Sequence, residues 1–130
     1  MKTNGFSLIE LMIVLVIISI LATMAIPSYE HYVTKSRFSE VIVATNPYKI
    51  SVSLGIQEGE KMSALNSGSF GIATFNTPTA NLADLIVKHG VITATGTDKA
   101  GGYTYILTPD QNGSTWSVSG TCVAAGMCDA

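Results

Sequence analysis

Residues 5–27 read GFSLIELMIVLVIISILATMAIP. From Leu11 to Ile26 only Ser19 and Thr23 are mildly polar. With Phe6 to Ile9 included, the run is about twenty residues long, enough to cross a bilayer's hydrocarbon core as a helix. Lipid offers no partners to peptide groups, so the run must be helical there. Pro27 ends or bends it, because proline lacks an N–H and clashes one turn back. Glu10 is the anomaly, a carboxylate near the start of a segment otherwise made for lipid.

A secretory signal places a basic start, an apolar core and then a small-residue cleavage site in that order. Here Met1-Lys2-Thr3-Asn4-Gly5 is short and basic, and its glycine precedes the apolar run. Ala22 and Ala25 imitate a late signal-peptidase site. Cleavage after Gly5 would instead keep the whole apolar helix and create a new amine on Phe6.

Gly5-Phe6-Ser7-Leu8-Ile9-Glu10 followed by Leu11-Met12-Ile13-Val14 resembles the type IV pilin signature, and the short leader resembles the type IVa subclass. The resemblance continues through Ala25-Ile26-Pro27-Ser28-Tyr29 and Asn46-Pro47, and beyond Gly55 is architectural only. It implies a prepilin peptidase that cuts between Gly5 and Phe6 and methylates the Phe6 amine. It implies a subunit that waits in the inner membrane as a single-pass protein, then joins a homo-oligomeric helical filament outside the cell through inner-membrane assembly machinery. Such a filament serves adhesion, motility or DNA uptake. The other readings within this resemblance are a type II secretion pseudopilin and a minor pilin.

Glu10 has two readings. In the first turn of a helix a negative charge favours the dipole, and near the headgroups a glutamate is tolerated. At mid-bilayer it costs about 2.5–3.5 kcal/mol. The resemblance gives the second reading: Glu10 pairs with the Phe6 ammonium of a neighbouring subunit, because a buried charge is costly without a partner. Pro27 is then a weak point where the packed helix melts or bends.

The 130 residues suit one modest domain, and the 75 after Gly55 allow a small core. The formal charge is −2, becoming −3 when the single positive charge of Lys2 leaves with the leader. No basic block occurs, so nucleic acid is not an expected partner. No cofactor is expected, and no catalytic constellation occurs: His31 and His89 are far apart, and GxSxG and P-loop patterns are missing. Cys122 and Cys128 are the only cysteines. Their CVAAGMC spacing does not suit zinc. In an exported protein the pair reads most simply as a disulfide, with free thiols as the other state. The pilin resemblance implies a similar C-terminal loop, though a longer one. No acidic cluster near the C-terminus suits the calcium loop of the pseudopilins.

The expected fold is α+β: a long N-terminal helix, its second half packed on an antiparallel sheet of about four strands. The division is leader 1–5, membrane and assembly helix 6–27, amphipathic helix 28–55 and head 56–130. Phe38, Val41, Ile42, Thr45, Tyr48 and Val52 form a helical stripe facing the head, with Val43, Ile50 and Leu54 off it. Pro47 should bend this helix and Gly55 should stop it, giving about 70 Å at 1.5 Å per residue. Tyr29 and Tyr32 resemble an interfacial aromatic belt.

Within the head, residues 56–80 read as a loop that Phe70 and Phe75 tie down, 81–120 as the sheet and 121–130 as the cysteine loop. Asn81–Lys88 suits either helix or strand; as a strand it forms a hairpin through His89-Gly90. Pro109-Asp110-Gln111-Asn112-Gly113 is a turn, and Asn112-Gly113-Ser114 also matches a glycosylation acceptor.

Overall fold

The computed structural model describes residues 4–130; Met1, Lys2 and Thr3 of the expected leader lie outside the described residues. Two compact units meet at Val33/Thr34. In the first, helix α1 begins at Leu8 and runs past Pro27 without interruption, continuing into the second unit as far as Ala44. None of its large apolar residues from Leu8 to Ile26 is less than 49% exposed. A helix apolar on every side and bare on every side is stable only in lipid or among other helices.

The second unit carries the core. The helical stripe is confirmed: Phe38, Val41 and Val52 are fully buried, and Ile42 and Tyr48 pack against them. Val43, Ile50 and Leu54 remain exposed. Full burial of a side chain such as Phe38 contributes about 1.5–3 kcal/mol. Near Pro47 the helix continues, as expected, but its ladder is irregular at one residue, Thr45, whose backbone stays helical (φ −77°, ψ −17°). The part before Thr45 is α1, as far as Ala44, and the part after it, α2 (Asn46–Gln57), has the proline in its first turn. The missing N–H costs nothing at that position. Thr45 between them is buried and bonds its own hydroxyl to Ile42 O at 2.6 Å.

Gly55 does not stop the helix. It lies inside α2, where a Cβ would meet Leu65 Cδ2 at 2.6 Å, so glycine is needed there for close approach. The stop is Gly59 (φ 89°), which takes the left-handed position. Gly59 N–H bonds Ile56 O and Glu60 N–H bonds Gly55 O, the paired bonds of a Schellman cap.

A short 3₁₀ turn (Met62–Ala64) and a loop lead to four strands: β1 (Leu82–Lys88), β2 (Val91–Gly96), β3 (Thr104–Pro109) and β4 (Trp116–Ser119). They form an antiparallel meander in the order β1-β2-β3-β4. Asn81–Lys88 is thus strand, and His89 (φ 52°) with Gly90 (φ 77°) makes the tight turn. A bulge between Leu82 and Asp84 brings Leu82 onto the same buried face as Leu85 and Val87. Ile92, Ala94, Tyr105 and Leu107 complete that face.

The outer edge of β1 is covered by the loop. Val87 O accepts from Ser67 N–H at 2.9 Å and Val87 N–H donates to Ser67 Oγ at 2.8 Å. Loop packing comes from Leu65 and Ile72, both buried, together with Phe75. Phe70, expected to join them, is instead 50% exposed.

After β4 a short helix α3 (Thr121–Ala124) returns the chain to β3, where Thr104 N–H donates to Thr121 Oγ1 at 2.9 Å. Cys122 and Cys128 are joined as a disulfide and both are buried.

Candidate functional site

Ser7 and Glu10 shape the start of α1. Ser7 N–H and Ser7 Oγ both donate to Glu10 Oε2, at 2.8 and 2.9 Å, and Glu10 N–H reaches back to Ser7 Oγ at 3.3 Å. This reciprocal arrangement is a capping box, which satisfies donors that a helix start leaves unpaired. Its signal, Ser-x-x-Glu before an apolar run, stands in the sequence. Only one carboxylate oxygen is used. Oε1 accepts no bond among the described residues, so the group retains capacity for a further donor.

Gly5 and Phe6 precede the helix in irregular, exposed chain; Phe6 is 92% exposed. Phe6 and Glu10 share a shallow apolar concavity with Leu11, Ile13 and Val14. The chain's own fold therefore places the Phe6 side chain and the Glu10 carboxylate on one concavity, one residue after Gly5. Pro27 stands apart from this cluster. It withholds one N–H from the α1 ladder, and nearby polar side chains turn back on the backbone: Thr23 Oγ1 donates to Ile20 O at 2.6 Å and Ser28 Oγ to Met24 O at 3.3 Å. Among the described residues, α1 and α2 form one stretch long and apolar enough to cross a membrane, near the N-terminus.

The remaining sequence candidates fall elsewhere. Tyr29 and Tyr32 are each 72% exposed, and His31 meets the Tyr32 ring edge-on at 6.4 Å. His89 serves the β1–β2 turn. Asp110 accepts the N–H groups of Thr115 and Ser114, which hold its carboxyl below the usual range. No cluster of three or more metal-ligating side chains occurs among the described residues.

Sequence reasoning missed a polar clamp in the second unit. Glu40 accepts from Thr79 Oγ1 and from Asn81 Nδ2, each at 2.7 Å. These two donors keep its carboxyl below the ordinary glutamate range. Nothing local announces it, because the partners lie a loop away.

Comparison with known families gives two matches. Residues 1–26 match the prokaryotic N-terminal methylation motif, and residues 34–127 match the model for pilin, the bacterial filament protein. The chain is 34% identical to prepilin peptidase-dependent protein D of Escherichia coli (strain K12), over 83% of this chain and 73% of that protein. It is 38% identical to type IV major fimbrial protein FimA of Dichelobacter nodosus (strain VCS1703A), over 65% of this chain and 59% of the relative. It is 39% identical to a fimbrial protein of Neisseria meningitidis serogroup A, over 71% and 54%. The chain thus spans somewhat more than half the length of these two fimbrial relatives.

Proposed function

The chain belongs to the type IV pilin family, as a structural subunit and not an enzyme, and from that premise we propose how its helix start builds a filament. A prepilin peptidase cuts between Gly5 and Phe6 and methylates the Phe6 amine. The mature subunit stays in the inner membrane by its α1 sleeve, and assembly machinery there draws it into an extracellular filament. The filament serves adhesion, motility or DNA uptake.

The observation that carries this reading is the bare apolar sleeve with one carboxylate at its start. Moving from lipid to a bundle of like helices exchanges one apolar surrounding for another, so packing and polar contacts decide the outcome. Glu10 would be an uncompensated charge in such a bundle. Its unused Oε1 accepts the Phe6 ammonium of a neighbour, while Oε2 stays with Ser7. A charge pair in apolar surroundings is favoured only at close range, so it sets the axial stagger between subunits. Pro27 leaves a carbonyl without its helical donor, and the packed helix loosens there. The buried disulfide closes the C-terminus onto the head in the oxidising space outside the cell.

Mass spectrometry of the protein from sheared surface filaments tests the processing. The expected mass is that of a chain starting at a methylated Phe6. An intact Met1, or a start near Ala25, would overturn the reading. So would filaments formed at the wild-type level by Glu10→Ala.

A further inference from the structure

Phe70 occupies a backbone conformation that does not suit it. Its φ of 48° lies in the left-handed region, where a side chain is strained and glycine is not. Half of its surface meets solvent. The loop around it is nevertheless braced. Ser69 Oγ donates within the loop, bonding Ala64 O and Asn66 O at 2.8 Å each. Gly68 N–H bonds Ile72 O and Ile72 N–H bonds Ser69 O, both at 2.8 Å. Leu65 and Ile72 are buried on either side. The result is an aromatic knob held outward on a fixed mount, at a strained position from which the head's own core gains little.

A groove of about 490 Å³ lies elsewhere on the same unit, between α2 and the β3–β4 connection. Ile50, Leu54 and Gln57 form one wall, Trp116 and Gly113 the other. Ser53 Oγ ties the walls by donating to Gly113 O at 2.8 Å. Lys49 Nζ stands 5.8 Å from the Trp116 ring centroid. Exposed aliphatic carbons beside a ring and an ammonium suit an aromatic guest.

The two features sit at opposite edges of the sheet. The knob's loop is hydrogen-bonded to Val87 of β1, and the groove opens beside Trp116 of β4, with β2 and β3 between. A knob on one edge and a hole on the other make a head-to-tail contact, which gives a ring if its rotation closes and an open filament if it does not. We propose that Phe70 of each subunit seats in the Ile50–Leu54–Trp116 groove of a neighbouring copy, joining heads as the N-terminal helices join below. This rests on the reading that the chain polymerises. A buried aromatic anchor at the centre of a contact carries a disproportionate share of its strength.

Cysteine cross-linking tests it. Because Cys122 and Cys128 already pair with each other, added thiols report on new contacts. Cells co-expressing Ala73→Cys chains, which keep the Phe70 anchor and carry the thiol at an exposed site on the same loop, and Gln57→Cys chains should, after mild oxidation of sheared filaments, give covalent dimers. Replacing the second chain with Lys99→Cys should give none. Filaments without dimers, or equal dimers with the Lys99→Cys control, would overturn the docking and leave polymerisation standing. A second variant removes any doubt from folding. Phe70→Gly relieves the backbone strain, so the detergent-solubilised full chain should melt no lower than wild type while filament yield falls. Wild-type yield from Phe70→Gly counts against the docking alone. If the wild-type chain itself makes no filaments, both readings fall.

Discussion

Glu40 on α1 and Asn81 at the entry to β1 are 41 residues apart in sequence and joined by a 2.7 Å hydrogen bond. Thr79 Oγ1 takes the other carboxylate oxygen, and the same Thr79 oxygen accepts from Leu82 N–H at 3.0 Å. Asn81 O accepts from Thr97 N–H at 2.8 Å, which carries the link on to the end of β2. One carboxylate therefore pins the return of the long loop to both the helix and the sheet.

The clamp should be pH-sensitive in a stated direction. Because the folded-state value of Glu40 is depressed, its contribution is present above the ordinary glutamate value of about 4.3 and is lost as acid protonates the folded carboxylate. Glu40→Gln should lower the melting temperature of the detergent-solubilised chain at neutral pH. The gap from wild type should shrink progressively in acid. A gap that stays constant on acidification would exclude Glu40 as its source.

Ser7 and Glu10 allow capping to be separated from pairing. Glu10→Gln retains a side chain that can serve in a capping box but removes the charge. Ser7→Ala removes the cap but keeps the charge. Ser7→Ala is expected to reduce filament number modestly and Glu10→Gln to abolish filaments, counted by electron microscopy. The reverse order would assign Glu10 to capping alone.

Gly55→Ala sets two effects in opposition. Alanine in place of glycine inside a helix gains about 1 kcal/mol. Here the new methyl would press on Leu65 Cδ2 in the core, and overpacking of that kind costs about 1–3 kcal/mol. A net loss of about 1 kcal/mol is expected, read from denaturant midpoints. Gly55→Ala paired with Leu65→Val should recover part of it.

The cysteine pair spans only six positions. Closing so short a loop contributes about 2 kcal/mol on chain-entropy grounds. Changing both Cys122 and Cys128 to serine should lower stability by at least that amount, since both sites are buried and serine brings an unmet hydroxyl. A melt under reducing conditions should show a similar loss in the wild-type chain and none in the variant.

Much of this architecture was readable from periodicity. The switch from an unbroken apolar run to a stripe at Phe38, Val41 and Val52 marked where the helix meets its head, and His89-Gly90 and Pro109–Gly113 marked the turns. Glycine was the ambiguous letter. Gly55 and Gly59 stand four apart, one chosen for its missing methyl and the other for its left-handed backbone, and the sequence does not say which is which. Pro47 signalled a disturbance but not that Thr45 would absorb it. Phe70 misled because aromatic residues in a loop usually point inward. The Glu40 clamp and the groove beside Trp116 depend on which distant segments meet, a fact held in the topology and not in any local pattern.

The Ser67 bonds along β1 have a further consequence. Bare strand borders invite neighbouring molecules to zip together, and heads stacked side by side would meet at concentrations that ordinary secreted proteins never reach. By occupying both the N–H and the carbonyl of Val87, the loop denies that border to its neighbours. In the proposed filament, heads crowded side by side would then lack an open strand border to fuse along, and a dismantled fibre could give back separate subunits.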